Sequence, residues 1–261
     1  MSSKWALILG ASSGFGAATS IELARNGYGI FGVHFDLRST LPNAVAVQDA
    51  VRATGEEAVF FNINAADDEK RRATLDSVRD RLGPDGYCHV LMHSLAFGTL
   101  LPFIAQGAKE RISQKQMDMT LDVMAHSLVY WAQDMADRRL LGKHSRIFAM
   151  TSSGSTRVIK AYGAVSAAKA SLESHIRQLA FEMAPMGVTA NAIRAGVTDT
   201  PALRRIPGGP ELHQQAMERN PSGRSTTPED VAKAIAVLSH ENLYWMTGNV
   251  IGVDGGEELT A

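Results

Sequence analysis

Short apolar runs alternate with longer amphipathic segments from one end of the chain to the other. The runs at 5–9, 29–34, 58–63, 89–93, 146–150, 188–193 and 250–253 have the length of buried strands. Between them, segments 17–25, 45–53, 69–82, 116–138, 164–184 and 228–239 repeat apolar residues at helical spacing. This alternation predicts an α/β fold: one doubly wound domain with a seven-stranded parallel sheet flanked by helices. Right-handed crossovers then place every strand-to-helix loop at one edge of the sheet, where such folds bind ligands.

Chemistry first shows in the loop that ends the first run, WALILGASSGFG. Gly10, Gly14 and Gly16 stand as G-x-x-x-G-x-G between a strand and an amphipathic helix. Glycines there leave backbone N–H groups and the helix N-terminus open to a pyrophosphate, Ser12 and Ser13 add hydroxyl donors, and Phe15 belongs to the same turn. A surface turn would carry similar glycines; the strand before and the helix after them favour a dinucleotide cofactor.

Composition narrows the partners. The 261 residues are 45% hydrophobic, enough for a full core, and the chain shows no linker, repeat or low-complexity run, so one domain over 1–261 is expected. Lys plus Arg (26) nearly balances Asp plus Glu (27), and no basic stripe interleaves with aromatics, which argues against nucleic acid. Cys88 is alone, so neither an internal disulfide nor a cysteine metal site is expected, and a reducing cytoplasm fits. The opening MSSKWALILG reads as a first strand rather than a secretory signal, and no stretch approaches the roughly 20 apolar residues of a membrane helix.

Tyr162 and Lys169, in AYGAVSAAKAS, follow a strand-like run that ends in serines, RIFAMTSS. Seven residues of helix advance about 700° and about 10.5 Å, so the two side chains share a face if Tyr162 is already helical; four residues share it with a shorter reach, about 6 Å. With the glycine turn, the pair resembles the short-chain dehydrogenase/reductases. Further segments are similar to the enoyl-acyl-carrier-protein reductases of bacterial fatty acid synthesis, which have this Tyr-x6-Lys spacing. His93 begins HSLAF, similar to their His-Ser-Ile-(Ala/Gly)-Phe and unlike the Asn-Asn-Ala-Gly of ketone-reducing relatives. Met124 stands where those relatives carry a catalytic Asn, so a proton relay through it cannot operate, and Val165 stands where they carry the proton-donating Tyr. AGVTDTPAL resembles the loop that holds the nicotinamide amide and phosphates, and TGNVIGVDGG the last strand. Leu9, where Thr commonly precedes the first glycine, and Thr198, where Ile is commoner, are departures.

The resemblance implies a Rossmann-type fold and NAD(P)H-dependent reduction of the 2,3 double bond of an enoyl thioester, on acyl carrier protein or CoA. In ketone reduction, hydride adds to the carbon that bears the oxygen to be protonated. In conjugate reduction it adds to the β carbon, and negative charge appears on an oxygen two carbons away, which suits a more distant Tyr. Tyr162 is then the acid or enolate-stabilising group. Lys169 binds the nicotinamide ribose and supplies a charge worth roughly 4 kcal/mol at about 4 Å and an effective dielectric of 20. Ser152 either bonds substrate or caps its strand. His93 reads as a satisfied strand-end histidine, while Ser94, Leu95 and Ala96 line the nicotinamide through backbone contacts. Asn64 is expected beside the adenine, with Thr198 and Thr200 in the nicotinamide loop. NADPH is favoured over NADH because Arg38 can pair with a 2′-phosphate, although Asp36, if rotated inward, would accept from the ribose diol and repel that phosphate. Segment 201–224 is expected to be a lid: Arg204, Arg205, His213, Arg219 and Arg224 are candidates to meet the phosphopantetheine or carrier, and Leu203, Ile206 and Met217 to admit the chain. A homotetramer is expected, from apolar residues at 117–181 (Met117, Leu121, Leu128, Trp131, Leu172, Ile176, Leu179, Phe181) and from the resemblance. A ketone oxidoreductase would need a proton donor at Val165, and a non-catalytic cofactor-binding regulator would not be expected to keep both Tyr162 and Lys169. An enoyl-CoA reductase of another pathway shares every feature named.

Overall fold

The computed structural model describes residues 4–260. Seven parallel strands form one sheet in the order β3-β2-β1-β4-β5-β6-β7. They are β1 (Lys4–Leu9), β2 (Tyr28–His34), β3 (Ala58–Asn62), β4 (Cys88–His93), β5 (Leu141–Thr151), β6 (Thr189–Ala195) and β7 (Val250–Val253). Each predicted strand is present within a few residues. β5 starts earlier than expected because its first residues pair with Cys88 across a register shift before the regular ladder begins at Val90 and Arg146.

Period-two alternation in β1 sends Leu7 and Leu9 into one core and Ala6 and Ile8 into the other. The first core is closed by α3 (Asp68–Leu82), α5 (Ser127–Asp137) and α6 (Gly163–Glu182), which contribute Leu75, Trp131 and Ile176. The second is closed by α1 (Gly14–Arg25), α2 (Leu41–Arg52) and α8 (Pro228–Leu238), through Leu23, Val51 and Ile235. No helix among the described residues is long and apolar enough to cross a membrane.

Two expectations change here. The helix expected over 116–138 is α4 (Gln114–Leu121), a π-helical turn (Asp122–His126) and then α5. Apolar spacing does not reveal the turn, because Val123, Met124 and Ala125 are buried through it. The apolar helix residues expected to exceed what one chain buries divide: Leu128, Trp131, Leu172, Ile176 and Leu179 are buried within this one chain, and Met117 and Leu121 are half-buried. Phe181 and Tyr130 remain exposed on these helices.

Strand order reverses between β1 and β4, which opens a crevice at the carboxyl ends of the strands. Segment 201–224, which follows β6, contains a short turn at Leu203–Arg205 and α7 (Gly209–Arg219).

Candidate active site

The glycine turn stands at that crevice. Gly10 has φ +92°, and a Cβ there would collide with the Ser94 carbonyl, so the loops after β1 and β4 meet backbone to backbone. A Cβ on Gly16 would strike the Gly10 carbonyl, and only glycine lets α1 start this close to β1. Ser13 is the N-cap of α1 and makes no side-chain cap bond. The first amides of α1, the Ser13 hydroxyl and an open glycine turn together suit a pyrophosphate, so the residues present fit a dinucleotide. Thr200 packs its β carbon 3.7 Å from where a Gly14 Cβ would be, which brings the loop after β6 onto the same turn. Thr198 is buried, and its hydroxyl donates to the Gly196 carbonyl at 2.9 Å. Phe15 points away, into the second core, so only its backbone faces the turn. The Ser94 N–H donates to the Leu9 carbonyl at 2.8 Å, Leu95 packs against the first core and Ala96 is exposed. The Asn64 side-chain oxygen accepts from the Ala66 amide at 3.0 Å, closing a local turn after β3.

The adenosine end differs from the expectation built on Arg38. Asp36 is turned inward, its side chain only 10% exposed, with a carboxylate oxygen 2.9 Å from His34 Nδ1. Its amide donates to the Asn62 side-chain oxygen at 2.9 Å and its carbonyl accepts from the Asn62 amide nitrogen at 3.0 Å. Burial alone would raise its pKa, but hydrogen bonds from Thr40, Ser12 and His34 outweigh that and hold the carboxyl below its ordinary range. The carboxylate therefore faces Ser12 of the glycine turn, while Arg38 is exposed.

At the other end of the crevice, Tyr162 is not within the helix. It is the N-cap of α6 (φ −95°, ψ 0°), and its carbonyl accepts from the Ser166 amide at 2.8 Å. The reach calculated for seven helical residues thus does not apply in full. Ala161, immediately before it, has φ +59°, a left-handed conformation that costs an L-residue of order 1–3 kcal/mol and sets how the chain enters the helix. The Ser166 hydroxyl donates to the Gly154 carbonyl, tying the start of α6 to the loop after β5. Gly154 has no side chain where the Tyr162 ring and the Ser152 hydroxyl converge: a Cβ would sit 2.6 Å from a ring carbon and 3.1 Å from that hydroxyl. Burial raises the Tyr162 pKa above its ordinary value, and Ser152 opposes the rise. The Ser152 hydroxyl is buried without a hydrogen bond of full geometry, leaving it free for another partner.

Lys169 is 5% exposed, and its ammonium donates to the Met150 carbonyl of β5 at 2.7 Å. Burial lowers its pKa to about 8, against the opposing pull of the Glu173 carboxylate. Ser152 is what opposes the rise in the Tyr162 pKa, and no hydrogen bond joins Tyr162 to Lys169 among the described residues, the Lys169 ammonium donating to Met150 instead. Tyr162 is therefore a neutral hydroxyl donor at ordinary pH. Burial and the nearby Lys169 push His93 to about 3. Its Nε2 lies 2.9 Å from the Ser127 hydroxyl, which itself donates to the Val123 carbonyl, while Nδ1 has no partner. His93 is thus neutral and only half satisfied.

Val165 and Met124 close the wall of the site. Both are buried and crowd Gly98, where a Cβ would lie 2.9 and 2.8 Å from them. Outside this wall stand Phe97, Phe103 and Ile104, all exposed, with Phe103 packed over Gly163. In segment 201–224, Arg204 forms a double hydrogen bond with Asp199, both at 2.8 Å, and Arg224 pairs with Asp230. These two cations are engaged within the chain, while Arg205 is exposed. The residues that sequence reasoning missed, Gly98, Gly154 and the Asn62 clamp on Asp36, work through contacts distant in the chain that no local motif marks.

The chain matches the sequence model of the family described as Enoyl-(Acyl carrier protein) reductase over residues 10–258. It is 27% identical over 258 residues to the 1-cyclohexenylcarbonyl-CoA reductase of Streptomyces collinus, covering 98% of this chain and 87% of that protein. It is 28% identical over 263 residues to the cis-4-hydroxycyclohexanecarboxylate dehydrogenase of Sinomonas cyclohexanicum, covering 96% of this chain and 95% of that one. The enoyl-[acyl-carrier-protein] reductase (NADH) of Aquifex aeolicus VF5 shares the fold, with a TM-score of 0.85 at 24% identity over 99% of this chain and 98% of that chain.

Proposed function

The chain belongs to the short-chain dehydrogenase/reductases, in the family described as enoyl-(acyl carrier protein) reductase, and we propose that it reduces the 2,3 double bond of an enoyl thioester with a nicotinamide cofactor. One observation carries this reading. The two positions that would serve a ketone, Val165 and Met124, are apolar and buried around Gly98, while the buried phenol stands at Tyr162 beside Ser152.

The glycine turn and Lys169 would hold a nicotinamide dinucleotide, which when bound would supply hydride to the β carbon, the α carbon then taking its proton from solvent. Tyr162, neutral through burial, donates a hydrogen bond to the thioester carbonyl, so that charge developing on that oxygen meets a positioned donor. Ser152, free of other partners, adds a second donor to the same region. Lys169, anchored on Met150, has two further N–H donors for the ribose hydroxyls. Segment 201–224 is the lid, and Phe97, Phe103 and Ile104 supply apolar surface for the acyl chain.

Sequence reasoning favoured NADPH through Arg38; the inward Asp36 instead favours NADH, since a fixed carboxylate accepts from a diol and repels a phosphate. Fatty acid elongation on acyl carrier protein, in the cytoplasm, is the first pathway reading. An enoyl-CoA reductase of another pathway is the second, favoured by likeness to a reductase whose name specifies a CoA thioester. Parallel assays of cofactor oxidation with crotonyl-CoA, a long enoyl-carrier-protein and a β-ketoacyl thioester test these two readings and the ketone-reducing alternative. Turnover of the ketone alone overturns the proposal. A homotetramer accompanies this reading, supported by exposed Phe181 and Tyr130 on the α5 and α6 helices. Sedimentation as a monomer at micromolar concentration would refute it.

A further inference from the structure

Lys169 poses an electrostatic problem that its family position does not solve. A lysine ammonium is almost never fully buried without a partner, because leaving water costs more than one neutral hydrogen bond returns. Here the side chain is 5% exposed and its hydrogen bond goes to a neutral carbonyl, that of Met150. From β4 it faces His93, which is neutral. Tyr162, at the start of the same helix, is a neutral phenol. The carboxylate that acts on it is Glu173, one turn further along α6.

Glu173 is itself held. Thr151 donates from its hydroxyl to the Glu173 carboxylate at 2.6 Å, across 22 residues of chain. Two consecutive residues at the end of β5 therefore fix both groups: the Met150 carbonyl takes the lysine, the Thr151 hydroxyl takes the glutamate. No direct ion contact joins Lys169 and Glu173 among the described residues; the carboxylate acts through space from a fixed post.

We propose that Glu173, anchored by Thr151, is a positioning residue: it is the counter-charge of the buried Lys169 ammonium and fixes where that ammonium presents itself to the cofactor ribose. This deepens the reductase reading and rests on it for the role of Lys169.

The direct test is lysine Cε NMR on protein carrying 13C-lysine, with the Lys169 signal assigned by its loss in Lys169→Arg. Wild type should titrate near pH 8. Glu173→Gln keeps an acceptor for Thr151 but removes the charge, and should move that midpoint down by about half a unit or more, a factor of about 3 in proton affinity. Glu173→Asp should restore part of the shift. NADH affinity, read by fluorescence, should weaken about twofold or more at pH 8 in Glu173→Gln, because the protonated fraction of Lys169 falls from about a half to about a quarter, and hardly at all at pH 6.5. If Glu173→Gln does not fold, Thr151→Val should lower the midpoint in the same direction. An unchanged Lys169 midpoint in whichever variant folds overturns the proposal. Failure to reduce any enoyl thioester would overturn the reductase reading alone, since the titration needs no substrate.

Discussion

The turn after β1 and the stretch from Met150 to Lys169 form the two ends of one crevice, and they are built by opposite means. In the first, backbone does the work: Gly10 and Gly16 are required because a Cβ at either would enter a carbonyl oxygen. In the second, side chains set one another's state. Burial raises Tyr162, Ser152 moderates it, and Lys169 is lowered by the same burial and supported by Glu173. A site made of backbone tolerates no substitution, whereas a site made of side chains can lose a function and keep its fold.

The largest effect should therefore come from the turn. Gly10→Val forces a branched side chain into φ +92° and onto the Ser94 carbonyl, which joins the loops after β1 and β4. We expect loss of measurable cofactor binding together with about 3 kcal/mol or more of stability. Thermal melts with and without cofactor measure both; retention of wild-type affinity would break the contrast. At the other end, Tyr162→Phe removes one hydroxyl. Cofactor affinity should stay within about twofold while kcat falls by about 10² to 10⁴, and a variant that lost affinity but kept turnover would mean that Tyr162 serves the cofactor instead.

A third effect separates charge from shape. Lys169 titrates at about 8 when folded and near 10.5 in an unfolded chain. Between those values the unfolded state binds more protons, so stability should rise with pH from about 8 to 10.5 and be flat below. The total is about 3 kcal/mol for a shift of this size. Lys169→Met should erase that slope. Urea denaturation at a series of pH values reads it, and an identical slope in the variant would show that another group titrates.

How much of this was legible follows the same division. The glycine spacing and the strand runs stand close in sequence, and the fold places them as their spacing implies, whereas the Tyr162 and Lys169 pair is only partly so placed, since Tyr162 caps the helix that carries Lys169. The state of each group was not legible. Arg38 looked available and Asp36 ambiguous, because the contacts that fix Asp36 include Asn62 on the neighbouring strand, which clamps its backbone, and Ser12 of the glycine turn, which meets its carboxylate. Arg204 and Arg224 were candidates to meet substrate or carrier, and Asp199 and Asp230 stand against them. Whether Tyr162 is helical was open in the sequence, and it lies one residue outside the helix, after Ala161 in a left-handed conformation. Long-range contacts decide such matters, and periodicity carries no record of them.

The smallest effect tests whether the adenosine end belongs with the backbone-built half or the side-chain-built half. Asp36 shares features of both: its amide and carbonyl are clamped by Asn62, yet its carboxylate is what would meet the ribose. Asp36→Ser keeps the clamp and removes the charge. NADH affinity should fall, because charge-assisted bonds to the diol are lost, and NADPH affinity should rise, because nothing then opposes the 2′-phosphate. We expect the NADH-to-NADPH affinity ratio to drop by about tenfold, equivalent to about 1.4 kcal/mol. Arg38→Ala, from an exposed position, should change the two affinities about equally. Titration of both variants with both cofactors, followed by fluorescence, decides between them. If the ratio moves in Arg38→Ala and not in Asp36→Ser, the exposed arginine selects the cofactor and the inward carboxylate only holds the loop after β2 in place.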